Sequence, residues 1–383
     1  MVSEMEYRKF STFIESTQYG YTAESTSSEN GDAKYLRITD IVPYFVDKDR
    51  VPFCSIDEKK KAQYLVKKDD LLIARTGATT GYNLIVPEGF CNFIFASYLV
   101  RYNYDKKKLH PLYLKHVLKS NQYYGFVNNF IGGSAQPGMN PKAFGRFEVP
   151  YVGMEIQTRI ADILEQYDAL IELNNKRIEL LEQMAENLYK EWFVRFRFPG
   201  YETAEFENGI PKGWEIHKIK EVVKRLPFGE LYKSGDVSKE GKVIVIDQST
   251  DAYVGFHDNQ PSHLASIENP IAIFGDHSCK FQLMTVPFSL SENVIPYIGE
   301  EGVLTTYLYY SVCGIVETTE YKRHWSEFAA KKILVAPSHL QKSFVNIVQE
   351  NLRLKENIVE QNYNLIKQRD LLLPRLMGGK LEV

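Results

Sequence analysis

Residue types that could catalyse a reaction are present in this sequence, but their spacing does not assemble a recognisable catalytic site. There is no HExxH zinc helix, no GxSxG nucleophile turn and no Walker phosphate loop. His110 and His116 are close in sequence, as are His257 and His263, yet neither pair has a Cys or carboxylate at the spacing of a metal site. We therefore predict no metal site and assign no catalytic residue.

Several shorter motifs are incomplete. The stretch from Gly77 to Gly81 lacks the third glycine and the lysine of a phosphate-binding loop, and is typical of a turn between strands. Residues 58–60 and 240–242 match the Glu-x-Lys end of nuclease sites, but a chain with 25% charged residues contains such triplets by chance. The four cysteines form no CxxC pair, which indicates free thiols rather than disulfides or a zinc site.

The first 150 residues combine basic, aromatic and hydroxyl side chains in a way that suits binding. One polar loop runs from Arg75 to Asn83 and a second runs from Gly132 to Asn140. Basic side chains neutralise phosphates, and Arg, Asn, Gln, Ser and Thr on loops can reach base edges in a nucleic-acid groove. The alternative is that the lysine runs of this region only keep the surface soluble and that its polar loops are simple turns.

Length and composition limit the classes of protein to which these residues can belong. A chain of 383 residues has room for two or three domains, and a net charge of −3 excludes a histone-like polycation. Residues 1–150 carry 20 Lys and Arg against 16 Asp and Glu, so any nucleic-acid surface must be local. No apolar stretch approaches the roughly 18 residues of a membrane span. The acidic start MVSEMEYRKF lacks the features of a secretory signal, so we expect a cytoplasmic protein.

Two segments have the composition and periodicity of long helices. Residues 151–198 lie between Pro150 and Pro199 and are rich in Glu, Leu, Gln, Asn and Lys. Their three-four spacing predicts a coiled-coil seam that contains Ile156, Ile160, Ile163, Tyr167, Leu170, Leu181, Met184 and Leu188, with Asn174 and Arg177 as polar members. The second seam follows Pro337 and contains Phe344, Ile347, Leu354, Ile358, Leu365 and Leu372, with Asn351 and Gln361 as polar members.

The two helical segments superimpose at a shift of 184 residues, which pairs Gln157 with Gln341 and Leu170 with Leu354. Each follows a block of short β-like runs and glycine-rich turns with one helical stretch. The sequence therefore predicts an α+β protein that is a tandem pseudo-repeat, with two mixed α/β globular domains separated by two long antiparallel helices that form a coiled coil. The predicted boundaries are 1–150 for the first globular domain, 151–198 for the first spacer helix, 199–336 for the second globular domain, and 337–383 for the second spacer helix with a C-terminal tail.

Polar residues on the predicted helices have two open interpretations. Asn174 either faces the partner helix, where a buried Asn would fix the register of the pair, or faces solvent. A seven-residue repeat of carboxylates is expected to point outward, towards a basic partner or towards water. Its members are Glu165, Glu172, Glu179 and Glu186.

The sequence resembles the specificity subunits of Type I restriction-modification enzymes in four features. They are the tandem plan, the helix sequence QTRIADILEQYDALIELNNKRIELLEQMAENLYKEWF, the segment IPKGWE at residues 210–215 and the ending RDLLLPRLMGGKLEV. The resemblance covers nearly the whole chain and is most specific in the helices and their flanks. It departs from the family in two respects, because the first block has no counterpart of IPKGW and residues 208–332 carry 13 Lys and Arg against 16 Asp and Glu.

The resemblance implies two target recognition domains, each of which reads one half of a bipartite DNA site. It also implies methyltransferase partner subunits, which bind S-adenosylmethionine and methylate adenine, and a motor-nuclease restriction subunit that can join them. The chain itself would be a non-catalytic DNA-recognition subunit without a cofactor. Its helices, over residues 154–193 and 338–373, would be about 60 and 54 Å long and would act as a ruler between the two domains. The alternative is a coiled-coil scaffold whose globular blocks bind proteins rather than DNA.

Candidate DNA contacts follow from side-chain chemistry and loop position. In the first block they are Lys34, Arg37, Arg75, Thr76, Thr79, Thr80, Tyr82, Asn83, Lys107, Ser134 and Gln136. In the second block they are Gln248, Ser249, His277, Lys280, Lys322, Arg323 and His324. We expect Arg75 to read a base and Lys107 to contact phosphate without sequence preference.

Overall fold

The computed structural model describes residues 6–26, 31–131, 138–233, 235–249, 252–318 and 322–377. The chain divides into two units. Unit 1 comprises Met1–Asn174 together with Gln361–Val383, and unit 2 comprises Asn175–Glu360. Both units combine helices with sheets, which confirms the predicted α+β class.

Unit 1 contains two main sheets. Its described strands are β1 (Glu6–Lys9), β2 (Ile14–Tyr19), β3 (Ala33–Leu36), β4 (Phe53–Cys54), β5 (Leu71–Ala74), β6 (Asn83–Ile85), β7 (Phe93–Phe95), β8 (Leu99–Tyr104) and β9 (Glu148–Tyr151). Its described helices are α1 (Glu58–Tyr64), α2 (Pro111–Val117), α3 (Asn121–Ile131), α4 (Pro141–Phe144) and α5 (Met154–Tyr189), which continues into unit 2. The strand orders are β2-β8-β5-β6 and β4-β3-β7, and β1 pairs with β9. All of these pairs are antiparallel except the parallel pair β3 and β7.

Local sequence explains where these elements begin and end. All four residues of β5 are buried, as expected for an apolar run in the interior of a sheet. The single helical stretch expected over residues 111–127 is instead two helices, α2 and α3. The Ser120 hydroxyl donates to the carbonyl of Val117 and accepts from the amide of Tyr123, which ends one helix and caps the next.

Unit 2 is built from elements that follow α5 in the chain. Its described strands are β10 (Phe206–Glu207), β11 (Ile210–Pro211), β12 (Glu215–Lys218), β13 (Val223–Arg225), β14 (Val243–Ile246), β15 (Gly255–His257), β16 (Ile271–Gly275), β17 (Phe281–Met284), β18 (Phe288–Leu290), β19 (Val294–Gly299) and β20 (Lys332–Val335). Its helices are α6 (Ile219–Val222), α7 (Thr305–Val312), α8 (Trp325–Ala330) and the first part of α9 (Ser338–Met377). The strand orders are β13-β19-β16-β17 and β15-β14-β18, with further pairs β12-β20 and β10-β11. The only parallel pair among these described strands is β14 and β18.

Equivalent residues make equivalent hydrogen bonds within each unit. In unit 1, the buried Gln157 side chain accepts from the amide of His110, the residue that precedes α2, at 2.8 Å. In unit 2, Gln341 accepts from the amide of Leu304, the residue that precedes α7, at 3.0 Å. Both glutamine side chains also donate to a backbone carbonyl a few residues before their own helix. The same amide side chain therefore joins a long helix to a short one in both units.

The two long helices end differently from the prediction. Helix α5 ends at Tyr189 and is followed by a π-helical turn, Lys190–Val194. Helix α9 continues to Met377, so its predicted end at residue 373 is wrong. Pro374 removes one helical hydrogen bond, but Leu373 and Leu376 on either side are buried in the core of unit 1, which offsets that loss.

The predicted coiled-coil seam is wrong for several of its members. Leu170 and Met184 are 50% and 58% exposed, and Ile347 and Leu354 are 45% and 49% exposed. Each helix packs against a globular core as well as against the other helix, so the buried face is wider than a coiled-coil stripe and is rotated from it. The buried residues on α5 are Gln157, Ile160, Ala161, Leu164, Asp168, Ile171, Asn174 and Ala185, and those on α9 are Leu340, Gln341, Phe344, Val345, Val348, Ile358, Asn362, Arg369, Leu373 and Leu376.

Asn174 faces the other long helix rather than solvent. In unit 1 its amide donates to the side-chain oxygen of Asn362 on α9 at 2.9 Å, and both side chains are buried. Asp168 binds Arg369 on α9 at 2.7 Å, so later residues of α5 meet earlier residues of α9 and the two helices are antiparallel there. The same order holds inside unit 2, where Glu182 binds Lys355 and Tyr189 contacts Phe344.

Replacing Asn174 by leucine should lower the free energy of unfolding by about 1–3 kcal/mol, because it removes a buried hydrogen bond to the side-chain oxygen of Asn362. The double variant with leucine at both positions should recover most of this loss, since both polar groups are then gone. Chemical denaturation of the wild type, the two single variants and the double variant measures these differences. If the double variant lost as much free energy of unfolding as the two single variants together, the pairing of Asn174 with Asn362 would be contradicted.

No helix in the described part of the chain, including α5 and α9, has a window apolar enough to cross a membrane.

Candidate nucleic-acid interface

In unit 1 the first polar loop lies beside residues 138–140, the described end of the second polar loop. Arg75 follows β5 directly, and its carbonyl accepts from the amide of Met139 at 2.9 Å. Thr76 forms an isolated bridge with Gly138, which holds the second loop against the first. On the other side, the Arg75 amide donates to the carbonyl of Tyr98 at 3.0 Å. We call the surface formed by residues 75–79, Tyr98 and Gly138 contact edge 1.

Unit 2 brings the equivalent segments together after β16. The carbonyl of Asp276 accepts from the amide of His324 at 2.8 Å, and the Asp276 amide donates to the carbonyl of Asn293 at 2.8 Å. These two bonds reproduce those of Arg75 with Met139 and Tyr98. We call the surface formed by residues 277–280, Lys322, Arg323 and Gln248 contact edge 2.

Contact edge 2 contains most of the candidates from the second block. The His277 amide donates to Gln248 at 3.3 Å, and its ring lies 3.1 Å from the carbonyl of Lys322. The Lys280 ammonium donates to the carbonyl of Asp247, beside Gln248. Lys322 and Arg323 are exposed. His324 is fully buried, and its backbone amide donates a hydrogen bond to the Asp276 carboxylate. His324 therefore has a structural position that the sequence did not indicate.

Ser249 lies beside contact edge 2. Its hydroxyl donates to the Asp247 carboxylate at 2.6 Å.

Other candidates in unit 1 are engaged in the fold. Arg37 forms a bidentate ion pair with Asp40, and the Lys34 ammonium donates to the carbonyl of Lys48. Asn83 is 1% exposed and donates to the carbonyl of Leu118 at 2.8 Å, so it holds β6 against α2. A polar loop residue and a buried structural residue look alike in sequence, since only the fold decides which way a side chain points.

Three more candidates belong to the loop of contact edge 1. Thr80 is 4% exposed and its hydroxyl donates to the carbonyl of Gly77, so it is structural. Thr79 and Tyr82 are half-buried, and the Tyr82 ring lies 5.8 Å from that of Tyr124. The remaining two candidates, Ser134 and Gln136, lie outside the described residues.

Lys107 is exposed but is not part of contact edge 1. Strand β8 runs from Leu99, which pairs with the end of β5 near Arg75, to Tyr104, which pairs with the start of β2. Six strand residues span about 20 Å, so Lys107 lies at the opposite end of the sheet. The equivalent turn of unit 2 contains the acidic pair Glu300 and Glu301, which is unsuited to phosphate. The phosphate contact expected of Lys107 stays a prediction, and it would be made at the end of the sheet opposite to Arg75.

Two exposed tyrosines beside Arg75 were not among the sequence candidates. Tyr19 is the last residue of β2 and Tyr98 precedes β8, and their side chains are 49% and 54% exposed. Their rings lie 5.1 and 6.0 Å from the guanidinium carbon of Arg75. The available sequence signal was a tyrosine at the end of a β-like run, just before Gly20.

A buried polar cluster joins α2 to the long helices in unit 1. The Lys115 ammonium lies 2.7 Å from both the Glu165 and Asp168 carboxylates, and His116 lies 2.9 Å from Glu165. Arg369 binds Asp168 from α9. Glu165 therefore points into the fold, and its predicted outward position is wrong.

His116, Glu165 and Asp168 have ligand atoms within 4.8 Å of one another, which is close enough to share a metal ion. However, the carboxylate oxygens already face the two cations Lys115 and Arg369. A divalent ion would have to displace both of them, at a large electrostatic cost. This donor set fits an ion-pair network better than a metal site.

A serine and a histidine meet inside unit 2 without the geometry of a nucleophile. The His257 Nε2 atom lies 2.9 Å from the Ser289 hydroxyl, and the amide of Asn259 donates to His257 Nδ1. Because Nδ1 is an acceptor, the ring proton is on Nε2, which then donates to the serine. An imidazole in this tautomer cannot take the serine proton, so the pair is structural.

The sequence is similar to a known family of proteins and to several of its members. The family model described as the Type I restriction modification DNA specificity domain matches residues 3–183. The MjaIX specificity subunit of Methanocaldococcus jannaschii is 26% identical over 309 residues, covering 71% of this chain and 69% of the relative. The MjaVIII specificity subunit of the same organism is 27% identical over 242 residues, covering 56% of this chain and 55% of the relative.

A solved structure has the same fold over nearly the whole chain. It is the S subunit of a Type I restriction-modification system from M. genitalium, with a TM-score of 0.53, 15% identity, and coverage of 97% of this chain and 96% of the other. The sequence matches and this fold lead to one conclusion. The chain is similar to Type I restriction-modification specificity subunits, in sequence to the family model and these relatives and in fold to the solved S subunit.

Proposed function

We propose that this chain is a specificity subunit that recognises a bipartite DNA target, with contact edge 1 reading one half-site and contact edge 2 reading the other. One observation carries the proposal. The same pair of loops is joined by the same backbone hydrogen bonds at the same end of the sheet in each unit, through Arg75 with Met139 and Asp276 with His324. The resemblance to specificity subunits supports a recognition subunit rather than an enzyme.

We also infer that the two units are tandem repeats of one ancestral fold. The matching strand orders and the matched roles of Gln157 and Gln341 support this inference. The antiparallel contacts of α5 with α9 within each unit support a paired-helix spacer. Its buried face is wider than a simple coiled-coil seam, as the exposure of Leu170 and Leu354 indicates.

Methyltransferase subunits are the partners that we propose for the long helices. These helices leave large apolar side chains exposed, which is costly unless a partner covers them. In unit 1 they are Leu170, Leu173, Tyr363, Ile366 and Leu371, and in unit 2 they are Leu180, Met184, Ile347, Leu354 and Val359. S-adenosylmethionine would be bound by the methyltransferase, and a restriction subunit could join the same complex. Such work on DNA would take place in the cytoplasm.

Electrostatics favour a complex over the isolated chain for DNA binding. Lys280, Lys322 and Arg323 make contact edge 2 locally basic, but residues 208–332 are net acidic. Phosphate neutralisation contributes much of DNA affinity, so basic partner surfaces would have to supply part of it. The alternative of a scaffold that binds only proteins is not favoured by the family match.

The test is to assemble the chain with its methyltransferase subunits and to measure retention of target and shuffled DNA at rising salt. We expect the complex to retain target DNA more tightly than shuffled DNA, and the affinity for DNA to fall steeply with salt. Deletion of the gene should abolish the adenine methylation pattern in the cell. Long-read mapping of methylated adenines supplies the target sequence. Equal retention of target and shuffled DNA by the assembled complex would contradict the proposal.

We propose that helix length sets the number of unread base pairs between the half-sites. Deleting residues 176–182 together with 355–361 removes seven residues from each helix and takes out both members of the Glu182–Lys355 ion pair. Seven residues span about 10 Å, so we expect the spacer to shorten by about three base pairs while both half-sites persist. Methylation mapping measures the spacer, and an unchanged spacer would contradict the ruler. The control removes residues 176–182 alone, which should misalign the helix pair and lower stability.

A further inference from the structure

We propose that Tyr19 and Tyr98 position Arg75 to read a guanine in the half-site of unit 1. This inference rests on the proposed DNA function of contact edge 1 and adds the identity of a base and the residues that orient its reader. The three side chains come from separate places in the sequence, namely the end of β2, the end of β5 and the start of β8. The sheet order β2-β8-β5 brings them together.

The Arg75 side chain is oriented on several sides. Its Nε atom donates to the carbonyl of Ser97 at 3.3 Å, and its backbone is bonded to Tyr98 on one side and Met139 on the other. The Tyr19 ring lies 5.1 Å and the Tyr98 ring 6.0 Å from the guanidinium carbon, within the range of a cation–π contact. Both rings stay about half exposed, so the group is held at the surface and not in the core.

The charge of Arg75 is not neutralised by a carboxylate in the described part of unit 1. Arg37 and Arg101 pair with Asp40 and Asp70, whereas no described Asp or Glu lies within 4.0 Å of Arg75. With Nε committed to Ser97, the two terminal nitrogens remain as a parallel pair of donors. An arginine that is oriented by rings and left without a counter-ion is suited to an external acceptor.

The chemistry of the group selects guanine. A guanidinium can only donate hydrogen bonds, and it offers two donors in a fixed plane. In the major groove, guanine alone presents two acceptors side by side, N7 and O6, whereas adenine pairs an acceptor with a donor. A lysine at this position would lose the two-bond geometry.

Unit 2 lacks this arrangement at the equivalent place. Asp276 takes the backbone position of Arg75, and Asn293 takes that of Tyr98. The Asp276 carboxylate accepts from the amides of His324 and Trp325 and so caps α8. An arginine oriented by two tyrosine rings at this position is therefore found in unit 1 and not at the equivalent position of unit 2.

The test uses the assembled complex and its mapped target, with each guanine of the unit 1 half-site replaced in turn by 7-deazaguanine, which lacks the N7 acceptor. We expect one position where this replacement weakens wild-type binding about tenfold or more. Arg75→Ala should bind unmodified DNA that much more weakly and should no longer respond to 7-deazaguanine at that position. Tyr19→Leu and Tyr98→Leu should each lose part of the response, and Tyr19→Phe and Tyr98→Phe should retain most of it, because the ring and not the hydroxyl orients Arg75.

Controls separate this inference from the proposed function. Arg146→Ala removes another exposed arginine of unit 1, whose guanidinium lies near the ring of Phe130. Arg146 precedes β9 and is not one of the residues of contact edge 1. This variant should keep the wild-type response. Two results would overturn the inference: a unit 1 half-site that contains no guanine, or an Arg75→Ala variant that responds to 7-deazaguanine as the wild type does. Sequence-specific DNA binding would persist in both cases, so the proposed function would stand. Leucine variants that respond fully would overturn the positioning role, and loss of all sequence preference in the wild type would instead contradict the proposed function.

Discussion

Replacing Asp168 by alanine should lower the free energy of unfolding by about 3–5 kcal/mol, among the largest effects of any single substitution in this chain. Asp168 is 2% exposed and accepts from Lys115, Arg369 and the hydroxyl of Tyr44. Without its carboxylate, the buried Arg369 guanidinium loses its buried partner and keeps only the ion pair with the exposed carboxylate of Asp370. Leaving a buried charge uncompensated costs more than the pair contributes when intact. Urea denaturation measures the change.

A matched control lies on the same helix. Asp162 is exposed on α5, and Asp162→Ala should change the free energy of unfolding by less than about 0.5 kcal/mol. Replacing Asp168 and Arg369 together by leucine and methionine removes both charges, and should cost less than Asp168→Ala alone. If Asp168→Ala lowered the free energy of unfolding as little as Asp162→Ala does, the idea that the buried network stabilises unit 1 would be contradicted.

The same network gives this contribution a pH dependence. Burial would raise the pKa of Asp168, but the nearby Lys115 ammonium and the Arg369 guanidinium outweigh it and hold the pKa below its usual value of 3.8. Burial likewise tends to raise the pKa of Glu165, but His116 and Lys115 outweigh burial and hold that pKa below its usual value. A carboxylate with a depressed pKa stabilises the fold above its ordinary pKa and loses that effect as the pH falls through the folded value. The stability gap between the wild type and Asp168→Ala should therefore be constant near neutral pH and should narrow below about pH 4.

Phe344→Ala should destabilise the protein by about 3–5 kcal/mol for a different reason, the loss of a large buried ring. Phe344 lies on α9 in unit 2 and is fully buried. Its ring centroid lies 5.3 Å from that of Phe193 and 5.6 Å from that of Tyr310, both nearly perpendicular to it. Alanine would leave a cavity among these rings. Leucine at the same position should cost less, because it fills part of that space.

Ile347 is the matched control for Phe344. It lies one turn further along α9 and was predicted to share the same seam, but it is 45% exposed. Ile347→Ala should cost less than about 1 kcal/mol in the isolated chain. The Phe344→Ala loss should also be insensitive to acid, unlike that of Asp168→Ala, since no titratable pair is broken. Comparable losses for Phe344→Ala and Ile347→Ala would restore the simple coiled-coil seam.

The two substitutions show how differently each unit is joined to its part of the long helices. In unit 1, Lys115 and His116 on α2 meet the carboxylates of α5. In unit 2, the equivalent helix α7 carries Tyr309 and Tyr310, and Tyr310 packs on Phe344. Two units of the same topology thus use charges at one junction and aromatic rings at the other.

The sequence alone was enough to predict the α+β class, the two long helices and the resemblance to specificity subunits. These features depend on properties that repeat along the chain, such as apolar spacing, proline boundaries and the shift that pairs Gln157 with Gln341. Helical periodicity persists over many residues, so local errors do not hide it. The existence of both helices followed from this pattern, whereas the end of α9 beyond Pro374 did not, because tertiary burial of Leu376 decides it.

Only the tertiary structure decided which polar residues are at the surface and which residues meet. Arg75, Thr76, Asn83 and His324 were all candidates because their side chains are polar. Asn83 and His324 proved to be buried. The contact of Arg75 with Tyr19 depends on the pairing of β2 and β5 with β8, three strands that are far apart in the chain. A residue list fixes the chemistry of each side chain, while the direction in which it points is set by strand register and packing.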